Sequence, residues 1–267
     1  MNTKVKYLWN AKKYADHSFV QKEAAINLLK KVQLKGSENI LDIGCGDGKI
    51  TSIIAKKVPN GSIIGIDISS DMIEFSRKSF NHESHPNLTF LIQDAQQFDF
   101  NATMDVIFSS FAIQWMPNPD LFFQSARKSL KPKGYLVATI PLGISTELET
   151  SIEIVISSTE WASYFYQFSP EWYFERSDNY EKLLVKNKFE SIYFDNVQHV
   201  VHFSSKTSFE NYIIQWFSYL QPLPQNLKQI FLDQVIDTYL KIVGPLKNGE
   251  ILFSFPRIDI IATKSNL

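Results

Sequence analysis

Asn39 to Thr51, NILDIGCGDGKIT, decides the reading of the chain, because an apolar strand there runs into a glycine loop and then into a helix. Ile40, Leu41 and Ile43 read as a buried parallel strand, and Gly44, Gly46 and Gly48 follow at once. Three glycines so close together sacrifice backbone entropy, so the loop needs positive φ or a close approach of backbone to a neighbour. A ligand is the expected neighbour. Ile50, Ile53, Ile54 and Val58 recur at helical spacing, which sets the free N–H groups of a helix N-terminus beside the loop. Asp42, the strand's last acid, points to the same place. In D-x-G-x-G-x-G the third glycine comes one position earlier than in G-x-G-x-x-G, and no Lys-Ser/Thr pair closes a phosphate loop. A ligand with an amine and a carboxylate therefore fits better than a pyrophosphate, with Asp42 drawing its cationic end and backbone N–H groups its anionic end.

Downstream, Ser62 to Asp67 (SIIGID) is a second buried strand ending in an acid, about one βαβ unit after the first. A carboxylate there suits bidentate hydrogen bonding to two ribose hydroxyls. Ser69 or Ser70 caps the next helix, with Asp71 in its first turn and Met72, Ile73 and Phe75 supplying apolar surface. Met72 reads either as an adenine contact or as core. Leu88 to Ile92 forms the third strand, followed by Gln93, Asp94 and Ala95; Asp94 reads as an acceptor for an adenine amino group or as a turn aspartate. Met104 to Ser109 is the fourth strand and leads through Ser110 to Gln114 and Trp115. Asn118 and Pro119 open a helix, and Lys133-Gly134 turns into the fifth strand, Tyr135 to Ile140. Strands alternating with helices imply a parallel sheet whose ligand crevice lies at the strands' carboxyl ends, where Asp42, Asp67, Asp94 and Ser110 all fall.

The rest of the chain narrows the function classes. With 27 basic and 28 acidic residues, a net charge of −1 and 44% hydrophobic content, the 267 residues suffice for a large core. They show no electrostatic footprint for nucleic acid or an anionic membrane. One cysteine, Cys45, excludes an intramolecular disulfide framework and reads as a small residue between glycines. No apolar run approaches the ~18 residues of a membrane span, so a cytoplasmic protein is expected. Phe19 to Val32 reads as a helix with Ser18 at its N-cap, and Trp9, Tyr14 and His17 upstream as either a lid or an anchored terminus. After Pro141 the aromatic stretch Gly143 to Arg176, which includes Trp161, reads as a substrate cap or as packing. A helix from Asp178 to Val185, a strand from Ser191 to Phe203 and a helical pair from Phe209 to Val243 broken at Pro222 and Pro224 come next. The last strand, Ile251 to Thr263, carries Pro256, which implies a bulge or a local edge. Arg257, one of only four arginines, reads as a carboxylate ligand or as half of a surface salt bridge. The implied organisation is a helical lid over 1–38, a ligand-binding core over 39–141 and an aromatic cap over 142–177. The remaining sheet occupies 178–267, with a helical insertion near 205–245.

LDIGCGDG, the acid Asp67, Gln93 to Ala95 (QDA) and the LKPKG before strand five together resemble class I S-adenosylmethionine-dependent methyltransferases. The resemblance implies a Rossmann-like, doubly wound α/β fold with a seven-stranded, mostly parallel sheet and an antiparallel last strand. It also implies S-adenosylmethionine as cofactor, S-adenosylhomocysteine as product, and no metal. By this resemblance Asp42, Gly44 and Gly46 hold the methionine end, Asp67 the ribose, Asp94 the adenine amine, and Ser110 the region near the sulfonium. Ile68, Met72 and Ala95 sandwich the adenine. Tyr14 and Gln21, Gln114-Trp115 and the terminal FPR are similar to carboxylate O-methyltransferases acting on trans-aconitate, juvenile hormone acid or malonyl carrier protein. Tyr14 is thereby assigned to the cofactor, Gln21 and Trp115 to the reacting carboxylate, and Gln114 and Arg257 to the acceptor, with Trp161 of the aromatic cap as a further acceptor contact. A carboxylic acid of pKa about 4 is ionised at neutral pH and needs no general base, so positioning carries the catalysis. The expected partner is a small carboxylic acid or an acylated carrier protein. A C- or N-methyltransferase, a non-catalytic S-adenosylmethionine-binding protein and, against the glycine spacing, a nicotinamide dehydrogenase are the rival readings.

Overall fold

Seven runs rich in branched residues pair into one sheet: β1 (Asn39–Ile43), β2 (Ser62–Asp67), β3 (Leu88–Ile92), β4 (Met104–Ser110), β5 (Leu130–Pro141), β6 (Phe189–Phe203) and β7 (Ile251–Lys264). Their spatial order in this computed structural model, which describes residues 11–244 and 249–265, is β3-β2-β1-β4-β5-β7-β6. β1 pairs in parallel with β2 and β4, β2 with β3, and β4 with β5. Only β7 beside β5 is antiparallel among the registers described. This is the Rossmann-like, mostly parallel sheet that the family resemblance implies. Its order reverses between β1 and β4, which opens the crevice at their carboxyl ends.

The connecting helices are α1 (Ala11–His17), α2 (Phe19–Leu29), α3 (Lys49–Ala55), α4 (Ser70–Ser79), α5 (Pro119–Ser129), α6 (Thr146–Ile156), α7 (Ser177–Lys186), α8 (Lys206–Ile213) and α9 (Lys228–Val243). Side chains alternate across the pleat, so each central strand feeds two cores. Leu41, Ile43, Ile107, Leu136, Ala138 and Ile260 pack on one face with Phe122, Phe123, Tyr180 and Leu184 of α5 and α7. On the other face Ile40, Val106, Phe108, Val137 and Ile261 pack with Ala25 and Leu28 of α2, Ile54 of α3 and Ile73 of α4. Burying each large apolar side chain contributes about 2 kcal/mol, so the two layers hold the strand ends in fixed register.

Contacts divide the described chain into two compact units, one comprising 11–142, 172–197 and 257–265, the other 143–171, 198–244 and 249–256. The second is an insertion with an aromatic interior. There α6 packs along α9, and Phe209, Phe217, Phe231, Tyr239 and Phe253 are buried. The sequence reading sets Trp161 against an acceptor; the structure buries it, edge to face with Phe231 at 5.1 Å, and its indole N–H donates to Gln234 Oε1 at 2.6 Å. Among the described residues no helix is long and apolar enough to cross a membrane.

Several local expectations shift. α2 ends at Leu29 rather than Val32, and Ser18 makes no capping hydrogen bond. β5 starts at Leu130 instead of Tyr135, because Met104 already pairs with Leu130 and a register shift follows before Val106 pairs with Tyr135. Ser69, not Ser70, caps α4 by accepting from the Met72 N–H at 3.3 Å. At Pro256 the local-edge alternative fits: the ladder to β5 begins one residue later at Arg257, so the missing N–H falls outside that ladder.

Replacing Trp161 by Phe should lower stability by about 1–3 kcal/mol, since it removes the indole bond to the part-buried Gln234 oxygen and shrinks a buried ring, and adding Gln234→Leu should recover part of that loss. Urea denaturation of both variants checks this.

Candidate active site

The glycine loop is built by its neighbours on both sides. Gly44 and Cys45 both donate N–H groups to the Ile66 carbonyl, at 2.8 and 3.0 Å, and the Gly46 N–H reaches Asp67 Oδ2 at 3.0 Å. Gly44, Gly46 and Gly48 have φ of 68°, 52° and 77°, so all three occupy the left-handed region that L side chains resist. The close neighbours, though, are largely protein. A Cβ on Gly44 would lie 2.3 Å from that of Ala112, and one on Gly48 would lie 2.7 Å from the Phe90 ring. At Gly46 the nearest atom would be the Tyr14 ring edge at 3.6 Å, leaving this the one glycine of the three with room on its open side.

Helices α1 and α2 are tied to the same loop. Ser18, expected to cap α2, donates its hydroxyl to Asp47 Oδ2 at 3.1 Å instead, and Lys49 donates to the Ala15 carbonyl. These two links bring Tyr14 to Gly46. Gln21, three residues after Ser18 on α2, is buried, and its Oε1 has no hydrogen-bond partner.

Three carboxylates surround the loop. Asp42 is buried and accepts from Thr51 Oγ1 at 2.7 Å, while Asp47 and Asp67 lie near enough to raise its pKa further. Burial dominates, the Thr51 bond partly opposes it, and the pKa is pushed up to about 7. A cation arriving at the loop would relieve this strain. Asp67 has both oxygens engaged by backbone, Oδ2 by Gly46 and Oδ1 by the Ser69 N–H at 2.9 Å. These two bonds fix the plane of the carboxylate. Ile68 beside it is 45% exposed, whereas Met72 is buried, and Ala95 packs partly against the core on the α5 and α7 face. Asp94 forms the turn that its alternative reading anticipates, accepting the Gln96 N–H on Oδ1 at 2.8 Å. Cys45 is buried against Gly65, and burial raises its thiol pKa, so it is held as an uncharged small side chain.

At the end of β4 the backbone is strained. Phe111 takes φ of 55°, costly for a bulky residue, and its N–H donates to the Thr139 carbonyl at 3.0 Å. The turn presses Ala112 against Gly44 and starts the short 3-10 turn Ile113–Trp115. Gln114 donates Nε2 to the Phe111 carbonyl at 2.8 Å; its Oε1 and the Ser110 hydroxyl are buried without hydrogen-bond partners. Trp115 is half-buried beside them in sequence. Arg257 is not on the surface as half of an exposed pair. It is buried, with Nη1 donating to Thr139 Oγ1 at 2.7 Å and to Asp259. A surface depression of about 510 Å³, lined by Leu142, Phe174, Arg176 and Asp178 among others, contains none of these groups.

Sequence reasoning missed Asp259, Ser18 and Lys49 as parts of the arrangement, and the strain at Phe111. Only Asp259 left a readable signal: two positions beyond Arg257 on a strand, it must share its face.

A family model described as a methyltransferase domain matches residues 34–168. The chain belongs to this methyltransferase family. As a class I S-adenosylmethionine-dependent methyltransferase it has full-length relatives. Trans-aconitate 2-methyltransferase of Shigella flexneri serotype 5b (strain 8401) is 25% identical over 263 residues, covering 96% of this chain and 98% of that protein. The solved phosphoethanolamine N-methyltransferase 2 of Haemonchus contortus, in complex with phosphomonomethylethanolamine and S-adenosylhomocysteine, superposes with a TM-score of 0.61 at 18% identity over 96% of this chain and 57% of that one. The [4+2]-cyclase SpnF gives a TM-score of 0.58 at 15% identity over 91% and 80% of the two chains. A cyclase among the neighbours shows that the sheet alone does not fix the chemistry. Among the methyltransferase's described residues, no group of three His, Cys, Asp or Glu side chains is placed to hold a metal ion.

Two predictions follow from the loop. Gly44→Ala meets both the left-handed φ and the Ala112 side chain and should destabilise the fold by about 2–4 kcal/mol in urea denaturation. The folded pKa of Asp42 lies above its unfolded value, so its contribution to stability is complete below about pH 4 and is lost as pH rises through about 7. Asp42→Asn does not titrate. The ligand-free variant should therefore gain on the wild type as pH rises from 4 to 8, by a few kcal/mol at the upper end, in denaturation curves at several pH values.

Proposed function

We propose that this methyltransferase esterifies a carboxylate on a small organic acid, with the donor lying along the β1 and β2 strand ends and the acid near Gln21 and Trp115. S-adenosylmethionine, when bound, supplies a methyl group already activated on a sulfonium. The residues present suit it. Asp42 and Asp47 provide negative potential for its cationic groups, Gly46 and Tyr14 border the open side of the loop, and Asp67 is held in plane to accept ribose hydroxyls. Exposed Ile68 offers an apolar face to a base; buried Met72 follows it in the first turn of α4, and Asp94 and part-buried Ala95 lie just after β3. Ser110 and Gln114 carry buried acceptor atoms near the end of β4.

The observation that carries the acceptor reading is Gln21: a buried amide with an unpartnered oxygen, one turn from the Ser18–Asp47 bond. Rotating the amide by half a turn presents its NH₂ group, and the indole of Trp115 is a second neutral donor. Neutral donors orient a carboxylate oxygen without the charge pairing that would blunt its nucleophilicity. With the donor bound, forming the O–CH₃ bond would break the S–CH₃ bond and cancel the sulfonium charge with no proton to move, so these residues would need only to bind and orient the acid. Positioning then supplies the acceleration, for which effective molarities of about 10⁵ M or more are available. The α1–α2 segment, pinned by Ser18 and Lys49, serves as the lid that excludes water. Similarity to trans-aconitate 2-methyltransferase across nearly the whole chain supports the same class of acceptor.

Transfer of labelled methyl from S-adenosylmethionine to a panel of polycarboxylates, fatty acids and acylated carrier protein tests the reading. A base-labile product is expected; a base-stable one would mean carbon or nitrogen methylation. Trp115→Phe should lower kcat at least tenfold with the cofactor Kd within twofold of wild type, whereas Asp67→Ala should weaken cofactor binding at least tenfold in calorimetry.

A further inference from the structure

The sheet face beneath α2 carries a polar row at its carboxyl end. Ser110 pairs with Thr139 across β4 and β5, and Thr139 with Asp259 across β5 and β7, so the three side chains share one face. Two residues lower on each strand the same face is wholly apolar, with Phe108, Val137 and Ile261 packed against Ala25 and Leu28 of α2. Two residues higher, Pro141 pairs with Arg257. The guanidinium reaches back along the row to Thr139 Oγ1 and Asp259. Above it, the buried stripe of α2 that contains Leu28 and Ala25 continues to Gln21 at helical spacing.

This row is incompletely satisfied. The Arg257 side chain is 8% exposed and that of Asp259 7%, yet Arg257 Nε, Ser110 Oγ and Gln21 Oε1 are all buried without hydrogen-bond partners. Leaving a charged donor unmet in the interior is expensive, and native folds rarely do so. With Nη1 committed to Thr139 and Asp259, the Nε side of the fork remains, and that edge matches a carboxylate in bidentate geometry.

We propose that Arg257 anchors a second, non-reacting carboxylate of the acceptor through its Nε edge, with Asp259 and Thr139 as positioning residues that hold the guanidinium and Ser110 completing the polar wall. The inference rests on the carboxylate reading above and adds to it that the preferred acceptor carries at least two acidic groups. Arg257 is suited to the spectator carboxylate rather than the reacting one, because a tight ion pair would hold back the electrons needed for methyl capture. Asp259 also offsets part of the guanidinium charge, which lets the anion leave after turnover.

The test compares straight-chain monocarboxylates and dicarboxylates of matched length as acceptors for labelled methyl, in the wild type, Arg257→Gln, Arg257→Lys and Asp259→Asn. In parallel, calorimetry measures dicarboxylate binding to protein saturated with S-adenosylhomocysteine. The wild type should favour diacids at least tenfold in kcat/KM. Arg257→Gln should reduce that preference to within twofold, chiefly through KM, with the S-adenosylhomocysteine Kd unchanged. Asp259→Asn should raise the diacid KM several-fold while kcat is retained. If Arg257→Gln does not fold, Arg257→Lys replaces it: charge without the fork should leave a preference at most one-third of the wild-type ratio. An intact diacid preference in a folded Arg257 variant, or equal losses for monoacids and diacids, would overturn the anchor. Should the wild type esterify no acid yet bind diacids in an Arg257-dependent way, the anchor stands and the esterification reading falls; absence of Arg257-dependent binding removes the anchor itself.

Discussion

The attachment of the glycine loop to the end of the neighbouring strand is the constraint on which the rest depends. Two consecutive N–H groups share the Ile66 carbonyl and the next one meets Asp67, so the chain after β1 has no freedom to wander. That tether requires left-handed residues at three alternate positions, 44, 46 and 48, and only glycine takes them without strain. Once the turn is set, α3 starts beside the β2 terminus and Asp42, Asp47 and Asp67 are brought together. Burial of Asp42, with Asp67 and Asp47 adding smaller repulsion, raises its pKa and is what the fold sustains to keep the three acids at this loop.

Much of this was legible in the sequence because it is local. The apolar runs of β1 to β4, the Ser69 cap, Pro119 at the first turn of α5 and the acids at strand ends all follow from nearest-neighbour chemistry. The glycines were legible too, but not the reason for each of them: Gly44 and Gly48 make room for Ala112 and Phe90, residues far away in the chain. Ser18 illustrates the same limit. Its local role as a cap lost to a distant partner, Asp47, whose position depends on the loop's tertiary folding. The start of β5 was hidden because it depends on a register shift with β4, which periodicity within one strand does not encode.

Aromatic composition proved the least informative signal. A run of rings can line a cavity or fill one, and in the insertion Trp161, Phe165, Phe217 and Phe231 fill it by packing on one another. What distinguishes the two uses is whether the polar edge of a ring is spoken for, as the Trp161 indole is by Gln234. Orphaned polar atoms were the better guide in the sheet-bearing unit, where Gln21, Ser110, Gln114 and Arg257 each retain one.

The pairing of β7 with β5 has a consequence for how the protein is made. Pro141 and Arg257 meet in one ladder although 116 positions separate them (257 − 141 = 116). A ribosome adding about 5–20 residues per second would leave the hydrogen-bonding edge of β5 open for several seconds after its first four companions can form. An open edge of that kind invites strand addition by another chain. During that interval the sheet presents two edges to other chains, β3, which stays an edge in the finished order, and β5, which β7 later covers.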